Sequence, residues 1–581
     1  MRRDSRQQPL FRVSSFMPNP YPAGSLFDVI ARYGGFLFRP SDFPEADPAL
    51  GGEVGWCTSR LSALVVLQQK HGWTDRETVR RASMDLSVKA SLDMGIEQRG
   101  PSQSVLCKHR QRMQALGLDT VYLDRLRDVL EALELVGDDE PVLIDSVPVA
   151  GGGQQLDTYN LLAGAIRSGL RELARVEDRP VAEVADELGL SVYLARTIKG
   201  RFDVDWQDGE SRRSFLAQLV EDALVVRSRL QDANGPASDD DRHDDNDDDT
   251  SDGEGDAAAS SAAVDIIDKI IDHDIEFAED GNVKSIRQKR AGDRLISVTD
   301  PDMRHGRKSA SKLIAGYKAQ IVSSLMFGFI VLVRLFKANV HDGRDLPSIA
   351  EELRDGGLAP AWWGGDHAYG TLANHQFFAS PERGELVARM ARPPNGGRHT
   401  KDDFDYCFTS KGLHCPGGHQ MTQSKWNSRH GRKGRLFLFP ATVCGACPLR
   451  AQCVNPKASA DKGRSVFIVD EDERLIREHL AHRETQGFQE RLAQRPAVER
   501  VIAGFAQCGG KTTRRRGMEQ VAFDKNLSAL AYNLRRLGSV MQADPSLGAK
   551  LARVLGVFLR RARALFCRLT EVEAVHACVA V

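Results

Sequence analysis

Three acidic residues in separate short motifs constrain this chain more than any other feature. Asp145 ends the apolar run VLID, Asp366 follows WWGG, and Glu499 lies in the stretch RPAVER. The first two runs are short enough to be buried strands, whereas the third stretch is arginine-rich and helical in pattern. Acids from two strands and one helix would form a cluster of negative charge that only bound cations relieve at neutral pH. The pattern therefore predicts a two-metal phosphoryl-transfer site.

Length and charge set wide bounds on the fold and on the partner. The chain has 581 residues. That is too long for one hydrophobic core, so about two to four domains are expected. The formal net charge is −1, but residues 239–256 alone carry eleven acids against one arginine, so the remainder of the chain is basic. A basic body indicates a polyanionic partner.

Cysteine usage and hydropathy indicate a reducing, non-membrane environment. Ten cysteines in a chain of this length do not indicate a disulfide scaffold. The basic N-terminus is not followed by the apolar segment of a signal peptide. The longest apolar run, residues 321–336, contains Arg334 and is too short for a membrane span, so it is predicted to form two buried strands. We expect a cytoplasmic, nucleoid-associated protein without a membrane partner.

Changes in composition divide the chain into successive segments. We predict a loosely ordered N-terminus (1–50), a helical, DNA-end-binding region (51–132), the first strand of the main sheet (133–154), a helical insertion (155–235), an acidic disordered linker (236–262), the continuation of the sheet domain (263–400), a cysteine-rich insert (401–470), C-terminal helices of the sheet domain (471–540) and a helical tail (541–581).

The pattern changes from helical to strand-like after about residue 284. Residues 294–299, 316–322 and 329–333 are β-rich runs at hairpin spacing, and residues 345–354 have the pattern of a helix ahead of the strand that ends at Asp366. Together with the Asp145 strand, these elements predict a mixed sheet flanked by helices, and therefore a mixed α/β fold. Such a sheet presents acids at the carboxyl ends of its strands.

Residues 56–116 have a helical pattern that could bind DNA. A helix is predicted to begin at Thr74, and a basic helix over residues 104–113 offers Lys108, Arg110 and Arg112. A serine at a helix start with cations behind it suits phosphate contacts and a helix-turn-helix-like unit. A plain helical bundle with a solvated basic face fits equally well. Residues 181–191 also resemble the first half of a helix-turn-helix, a pattern that is common in other helical hairpins.

Four cysteines cluster in the 401–470 insert. A Cys-x-x-Cys turn with two further thiolates supplies four ligands, which is enough for closed tetrahedral zinc. Such a set leaves no open ligand position, so the zinc would be structural. The alternative is a set of unpaired thiols in a reducing cytosol. The four predicted ligands are Cys415, Cys444, Cys447 and Cys453, with Cys407 and His419 as spare candidates.

In their order and spacing, these motifs resemble a bacterial insertion-sequence transposase of the DDE type, from the branch with a cysteine-containing insert before the catalytic glutamate. The resemblance also rests on residues 300–308 leading into 316–318, on GDHAYG around Asp366, and on the helical stretch 526–537. It implies a ribonuclease H-like catalytic core with an N-terminal helical domain. It also implies Mg²⁺- or Mn²⁺-dependent cleavage and joining of DNA ends.

The resemblance also implies roles for individual residues. By motif match, Asp145, Asp366 and Glu499 are the implied ligands of two metal ions. Arg495, on the helical face of Glu499, is implied to steady DNA phosphate. The implied partner is double-stranded DNA, both the element's terminal inverted repeats and the target, bound by a homodimer. Further cations are expected to contact phosphate: Arg304, Arg307, Lys308, Lys312, Lys318, Arg514, Arg515 and Arg516.

Two other functions remain open from the sequence. A metal-dependent nuclease on the same fold would cut DNA without joining it, and a strand-transfer assay would identify it. A catalytically inactive relic would bind DNA only, and metal-dependent cleavage of the element's own ends would exclude it.

Overall fold

A computed structural model gives the fold of most of the chain. It describes residues 11–17, 20–43, 56–195, 197–198, 200–233, 251–288, 291–307, 311–390, 396–429, 431–459 and 461–554. Several predictions made from the sequence lie outside these residues, namely those for Lys308, for the linker over 236–250 and for the tail over 555–581.

Seven α-helices of the described residues precede the main sheet. They are α1 (Val13–Phe16), α2 (Leu26–Leu37), α3 (Thr58–His71), α4 (Asp75–Met84), α5 (Leu86–Ser91), α6 (Gln103–Ala115) and α7 (Leu118–Ala132). The predicted start of α4 is confirmed, because the Thr74 side chain accepts a hydrogen bond from the Glu77 amide. The prediction of a loosely ordered N-terminus is wrong for residues 20–43. There, α2 buries Val29, Ile30 and Leu37.

The first strand of the sheet is followed by a large insertion. Strand β1 (Val142–Ala150) leads into α8 (Thr158–Val176), α9 (Val181–Glu187), α10 (Gly209–Ala233), α11 (Ser251–Asp274), β2 (Ile275–Phe277) and β3 (Val283–Ile286). These elements bury a hydrophobic cluster of their own, which includes Leu170, Leu219 and Ile267. The insertion is therefore a separate unit that extends beyond the predicted limit of residue 235. Helix α11 begins at Ser251, so the predicted linker does not extend to residue 262.

The main sheet resumes after the insertion. Its remaining strands are β4 (Arg304–Arg307), β5 (Leu313–Ser324), β6 (Ile330–Lys337), β7 (Trp362–Gly364) and β8 (Glu385–Val387), with α12 (Leu346–Asp355) and α13 (Leu372–Phe377) between them. The strand order is β6–β5–β1–β7–β8, and β4 shares with β6 the edge of β5 that faces away from β1. Strand β5 is antiparallel to both of its neighbours β6 and β1, whereas β7 and β8 run parallel to β1. This mixed α/β topology is consistent with a ribonuclease H-like fold.

One predicted strand of this region is not formed. Residues 294–299 belong to no strand of the structure. Arg294 forms an ion pair of 2.7 Å with Asp274, and Leu295 and Val298 pack into the core of the insertion. The run is apolar because it is a buried connection. The predictions for residues 316–322, 329–333 and 345–354 are confirmed by β5, β6 and α12.

The cysteine-rich insert forms a small β-rich lobe. It contains β9 (Asp405–Cys407), β10 (Gly412–His414), β11 (Gln420–Met421), β12 (Lys425–Arg429), β13 (Arg432–Leu438), α14 (Ala441–Ala446), α15 (Arg450–Cys453) and β14 (Ser465–Ile468). Strands β9, β10 and β11 form one sheet and β12, β13 and β14 another. Phe404, Phe437 and Ile468 are central to its core.

The C-terminal helices close the fold over the sheet. They are α16 (Asp470–His482), α17 (Gln486–Leu492), α18 (Ala497–Ala506) and α19 (Met518–Ala543). Helix α19 packs against α2, α3 and α7 as well as against β6. As a result, Leu64 of α3, Ile144 of β1 and Leu530 of α19 belong to one hydrophobic cluster. The N-terminal helices, predicted as a region of their own, therefore share a core with the sheet.

Candidate active site

Asp145 lies within β1, and Asp366 lies at the equivalent level just after the end of the neighbouring parallel strand β7. Leu143 of β1 lies in register with Gly364 of β7, and each acid comes two residues later in its strand direction. The Asp366 carboxylate accepts a hydrogen bond of 2.8 Å from the Ala368 amide, which fixes it at the turn that follows β7. The sheet thus brings together two acids that are 221 positions apart in the sequence.

The surroundings of Asp145 disfavour its negative charge. Its side chain is 18% exposed. The pKa of Asp145 is raised to about 6, mainly by burial and in smaller part by the nearby carboxylates of Asp366 and Asp342. The Ser146 amide, which donates a hydrogen bond of 2.8 Å, and the guanidinium of Arg495 lower it. A bound cation would favour the ionised form that burial opposes.

A polar network on the neighbouring loop supports the site. The Ser146 hydroxyl donates to the Asp342 carboxylate at 2.8 Å, and the Lys318 ammonium donates to the same carboxylate at 2.7 Å. The Gln320 amide donates to the Asp342 carbonyl. Lys318, predicted as a phosphate contact, is instead 13% exposed and neutralises Asp342. The prediction for Lys318 is therefore corrected, because its charge is already paired.

Sequence reasoning did not assign a role to Asp342 or Tyr369. Tyr369 is fully buried, and burial together with the carboxylates of Asp342, Asp145 and Asp366 holds the pKa of its hydroxyl well above the ordinary value. Tyr369 belongs to the quoted GDHAYG motif, so its nearness to Asp366 was visible in the sequence. Asp342 lies in a loop, and the polar residues around it do not by themselves indicate a site.

Arg495 reaches the acids, whereas Glu499 faces solvent. The Arg495 guanidinium lies 3.9 Å from the Asp145 carboxylate. Val498, Val501 and Phe505 are buried on α18. Glu499, in the first turn of the same helix, is exposed. The structure thus brings Arg495 to Asp145, the neighbour of Asp366, and the role of the exposed Glu499 as the third ligand stays a prediction.

The donor set of the acids fits a divalent cation only in part. Two neighbouring carboxylates, one of them with a raised pKa, are oxygen ligands of the kind that Mg²⁺ prefers. Within the described ranges, however, no group of three or more His, Cys, Asp or Glu side chains is arranged to hold a metal ion. The pair Asp145 and Asp366 is therefore the observed part of the predicted three-acid set.

The four predicted zinc ligands lie in the same lobe. Burial raises the pKa of the Cys453 thiol, and the neighbouring thiols of Cys415, Cys447 and Cys444 raise it further. The amide of His419 donates to the Cys415 sulfur at 3.4 Å. Since no metal-holding group is assembled in the part of the chain that the structure describes, zinc binding by these sulfurs stays a prediction.

Three further cations predicted to contact DNA are occupied within the protein. Arg110 makes two hydrogen bonds of 2.6 Å to the Asp75 carboxylate and is 14% exposed. Arg304 is 1% exposed and bonds to Asp293 at 2.6 Å. Arg515 lies 3.6 Å from the Asp524 carboxylate. These side chains join elements of the fold, so the prediction that they contact phosphate is corrected.

The other predicted phosphate contacts lie at the surface. Arg112 and Lys108 are exposed and make the surface of α6 basic. The Arg112 guanidinium lies 5.9 Å from the ring centroid of Phe43. The Ser102 side chain, rather than a later serine, caps this helix. Residues 181–191, which resemble the first half of a helix-turn-helix, contain α9. This helix is followed by a 3₁₀ segment and not directly by a second α-helix. The exposed cations are Lys108, Arg112, Arg307, Lys312, Arg514 and Arg516.

Comparison with protein-family models finds a match in the C-terminal part of the chain. Residues 414–538 match a family model described as Transposase DDE domain. The matched range includes Arg495, Glu499 and the four clustered cysteines, and it begins after Asp145 and Asp366. Neither the search of curated proteins nor the search of solved structures found a match. No helix among the described residues is long and apolar enough to cross a bilayer.

The match supports a DDE-type transposase. Such transposases are phosphoryl-transfer enzymes that act on DNA and generally use divalent metal ions. The mixed α/β topology agrees with this assignment.

Proposed function

We propose that this chain is a DNA transposase that cleaves the ends of an insertion sequence and joins them to target DNA. The observation that carries the proposal is the placement of Asp145 on β1 beside Asp366, which directly follows the neighbouring parallel strand β7. The match of residues 414–538 to a transposase domain supports the same function independently. The cysteine-containing branch of the family is part of this proposal.

The proposed reaction consists of two phosphoryl transfers without a covalent enzyme intermediate. In the first, water attacks a phosphorus at the element's end, the bond from phosphorus to the 3′-oxygen breaks, and a free 3′-hydroxyl is left. In the second, that hydroxyl attacks a phosphorus of the target strand and displaces another 3′-oxygen. Asp145 and Asp366 would hold the divalent cations, which supply electrostatic stabilisation of the attacking and leaving oxygens when bound.

Arg495 and Glu499 are assigned complementary parts. Arg495 partly neutralises Asp145 and presents its guanidinium beside the acids, where a DNA phosphate would lie. Glu499 lies four residues further along, in the first turn of α18, whereas Arg495 lies in the turn that precedes this helix. We assign Glu499 as the third acid because it follows Arg495, which lies beside Asp145, in the matched transposase domain.

DNA binding and assembly complete the proposal. The exposed cations of α6, Lys108 and Arg112, would contact the terminal inverted repeats. Arg307, Arg514 and Arg516 would contact phosphate on the sheet side. A homodimer would hold the two element ends together, and a structural zinc would be bound by the four cysteines of the insert.

The test is a combined cleavage and strand-transfer assay. The purified full chain is incubated with a labelled duplex that carries the element's terminal repeat, with a target plasmid, and with Mg²⁺, Mn²⁺ or a chelator. We expect cut ends and joined products only with metal. Cutting without joining would instead indicate a nuclease, and intact DNA under all conditions, despite binding, would indicate an inactive relic.

A further inference from the structure

The cysteine-rich lobe carries an unusual concentration of positive charge. Residues 406–460 contain eight lysines and arginines and no aspartate or glutamate. Five of these cations lie between residues 425 and 435, on strands β12 and β13. We call this antiparallel pair, residues 425–438, the basic hairpin. None of its residues was among the DNA contacts predicted from the sequence.

The basic hairpin is an exposed ribbon at the edge of a sheet. All five residues of β12 are exposed. Strand β13 pairs along its whole length with β12 or β14, but β14 contacts only residues 435–438. Residues 432–434 therefore pair with β12 alone among the described strands. The end of the ribbon that includes the turn at Gly431 is thus free of a third strand.

Two of its cations hold the ribbon in place. Arg432 forms an ion pair of 2.6 Å with Asp472 of α16. Arg435 places its guanidinium 4.7 Å from the ring centroid of Trp426, opposite it in the ladder, and 3.9 Å from the Asp470 carboxylate. These contacts fix the orientation of the hairpin against α16.

The other three cations are not paired with an acid, although the Arg429 guanidinium lies 5.4 Å from the ring centroid of Phe467 in β14. Lys425, Arg429 and Lys433 are exposed, and none forms an ion pair with another described residue. Lys433 lies opposite Ser428 and shares a face with Trp426, whereas Lys425 and Arg429 lie on the other face. Unpaired positive charge on both faces of a two-stranded ribbon is complementary to the two phosphate walls of a DNA groove, which is wide enough to admit such a ribbon.

Trp426 adds a second feature that points to a ligand. Its side chain is 70% exposed, which makes it the most exposed tryptophan of the described residues. Arg435 covers one side of the indole, and this contact holds the ring in a fixed orientation. An oriented aromatic side chain within a basic surface is the arrangement that stacks on nucleic-acid bases.

We propose that the basic hairpin is a DNA-binding arm, in which Lys425, Arg429 and Lys433 contact phosphates and Trp426 stacks on an unpaired base next to the duplex. DNA as the partner rests on the proposed function. The arm is a binding surface distinct from α6, and its residues take no part in the chemistry at Asp145.

The test measures DNA binding by the full chain in the presence of a chelator, so that no cleavage occurs. The probes are a short labelled blunt duplex and the same duplex with a single-stranded extension. The triple variant Lys425→Gln, Arg429→Gln, Lys433→Gln should bind both probes at least about tenfold more weakly, and its salt dependence should fall by about three ions. Trp426→Ala should lose about tenfold in affinity for the extended probe only, and Trp426→Phe should restore most of it.

A matched control separates this effect from a general loss of charge. Arg201, Arg212 and Arg213 are exposed on the helical insertion, and their triple change to glutamine removes the same charge. Equal weakening by both triple variants would overturn the proposal, as would unchanged binding by the hairpin variants. Thermal unfolding of each variant should match that of the parent, because the changed side chains are exposed.

The outcome is independent of catalysis. If the full chain never cleaves DNA but the hairpin variants lose binding as described, the arm stands and the proposed reaction fails. If the chain cleaves and joins DNA while the hairpin variants bind both probes normally, the arm fails and the proposed reaction stands. Weaker binding of an acidic protein, with DNA binding unchanged, would also reject the arm.

Discussion

The Arg495 guanidinium lies 3.9 Å from the Asp145 carboxylate, although 350 positions separate the two residues in the sequence. This contact ties the segment ahead of α18 to the central strand of the sheet. It also places a cation beside a buried acid whose pKa is raised. The pH dependence of the site therefore depends on both residues.

The first prediction concerns this pair. Arg495 lowers the pKa of Asp145, so Arg495→Ala should raise it further above its ordinary value. If the ionised form of Asp145 is required, the acidic limb of the pH–cleavage profile should move to higher pH, and Arg495→Lys should move it less. The measurement is DNA cleavage against pH at fixed metal concentration. An unchanged limb in Arg495→Ala would show that Asp145 does not control it.

The second prediction concerns stability without metal. Asp145 has a folded-state pKa of about 6, above its ordinary value of 3.8, so its ionisation opposes folding. This destabilisation is absent below pH 4, grows as pH rises to 6, and is fully present above that. Asp145→Asn should therefore stabilise the chain at pH 7.5 by up to about 3 kcal/mol.

Thermal unfolding in a chelator checks the second prediction. The gain should vanish near pH 4, and saturating Mg²⁺ should reduce it, because metal stabilises only the parent carboxylate. The exposed Asp128→Asn serves as the control and should change little at either pH. A destabilised Asp145→Asn at pH 7.5 would contradict the electrostatic account.

The third prediction concerns the three acids. Asp145→Asn, Asp366→Asn and Glu499→Gln should each reduce metal-dependent cleavage by about a thousandfold or more, while DNA binding stays within about twofold. A lost ligand removes the metal but leaves the phosphate contacts. Asp128→Asn again provides the control. Substantial cleavage by Glu499→Gln, with the two aspartate variants inactive, would show that the third ligand is another residue.

The fourth prediction separates structure from DNA contact on α6. Arg110 bridges to Asp75 of α4, so Arg110→Ala should lower the free energy of unfolding by about 1–2 kcal/mol. Lys108→Ala, on the same helix but exposed, should leave stability unchanged and weaken DNA binding. Denaturant unfolding and DNA titration of both variants give the comparison. The reverse outcome would mean that Arg110, not Lys108, faces the DNA.

The fifth prediction concerns the cysteines of the insert. Protein purified without chelators should contain one zinc per chain, and Cys447→Ser should remove it, because three remaining thiolates bind zinc far more weakly. Limited proteolysis should then cut first within residues 404–468. Cys107→Ser, an exposed cysteine on α6, is the matched control. Zinc-free parent protein with an intact lobe would reject the prediction.

Local patterns in the sequence were sufficient to predict several elements of the fold. The apolar run of residues 321–336 predicted β5 and β6, and the amphipathic stretch near residue 350 predicted α12. Such patterns show which side chains of one segment are buried, and they depend only on residues that are close together in the sequence. The expectation that Asp145 and Asp366 follow buried strands of one sheet has the same origin.

The tertiary structure alone decided which side chains are paired. Arg110 and Arg304 look like surface cations in the sequence, but Asp75 and Asp293 neutralise them after folding. Glu499, which its motif predicted as a ligand, is exposed, and its role stays a prediction. The sequence by itself determined where the charges occur and where several of the strands and helices form. Only packing decided which charges meet, because such contacts join residues far apart in the chain and depend on how whole helices are seated against the sheet.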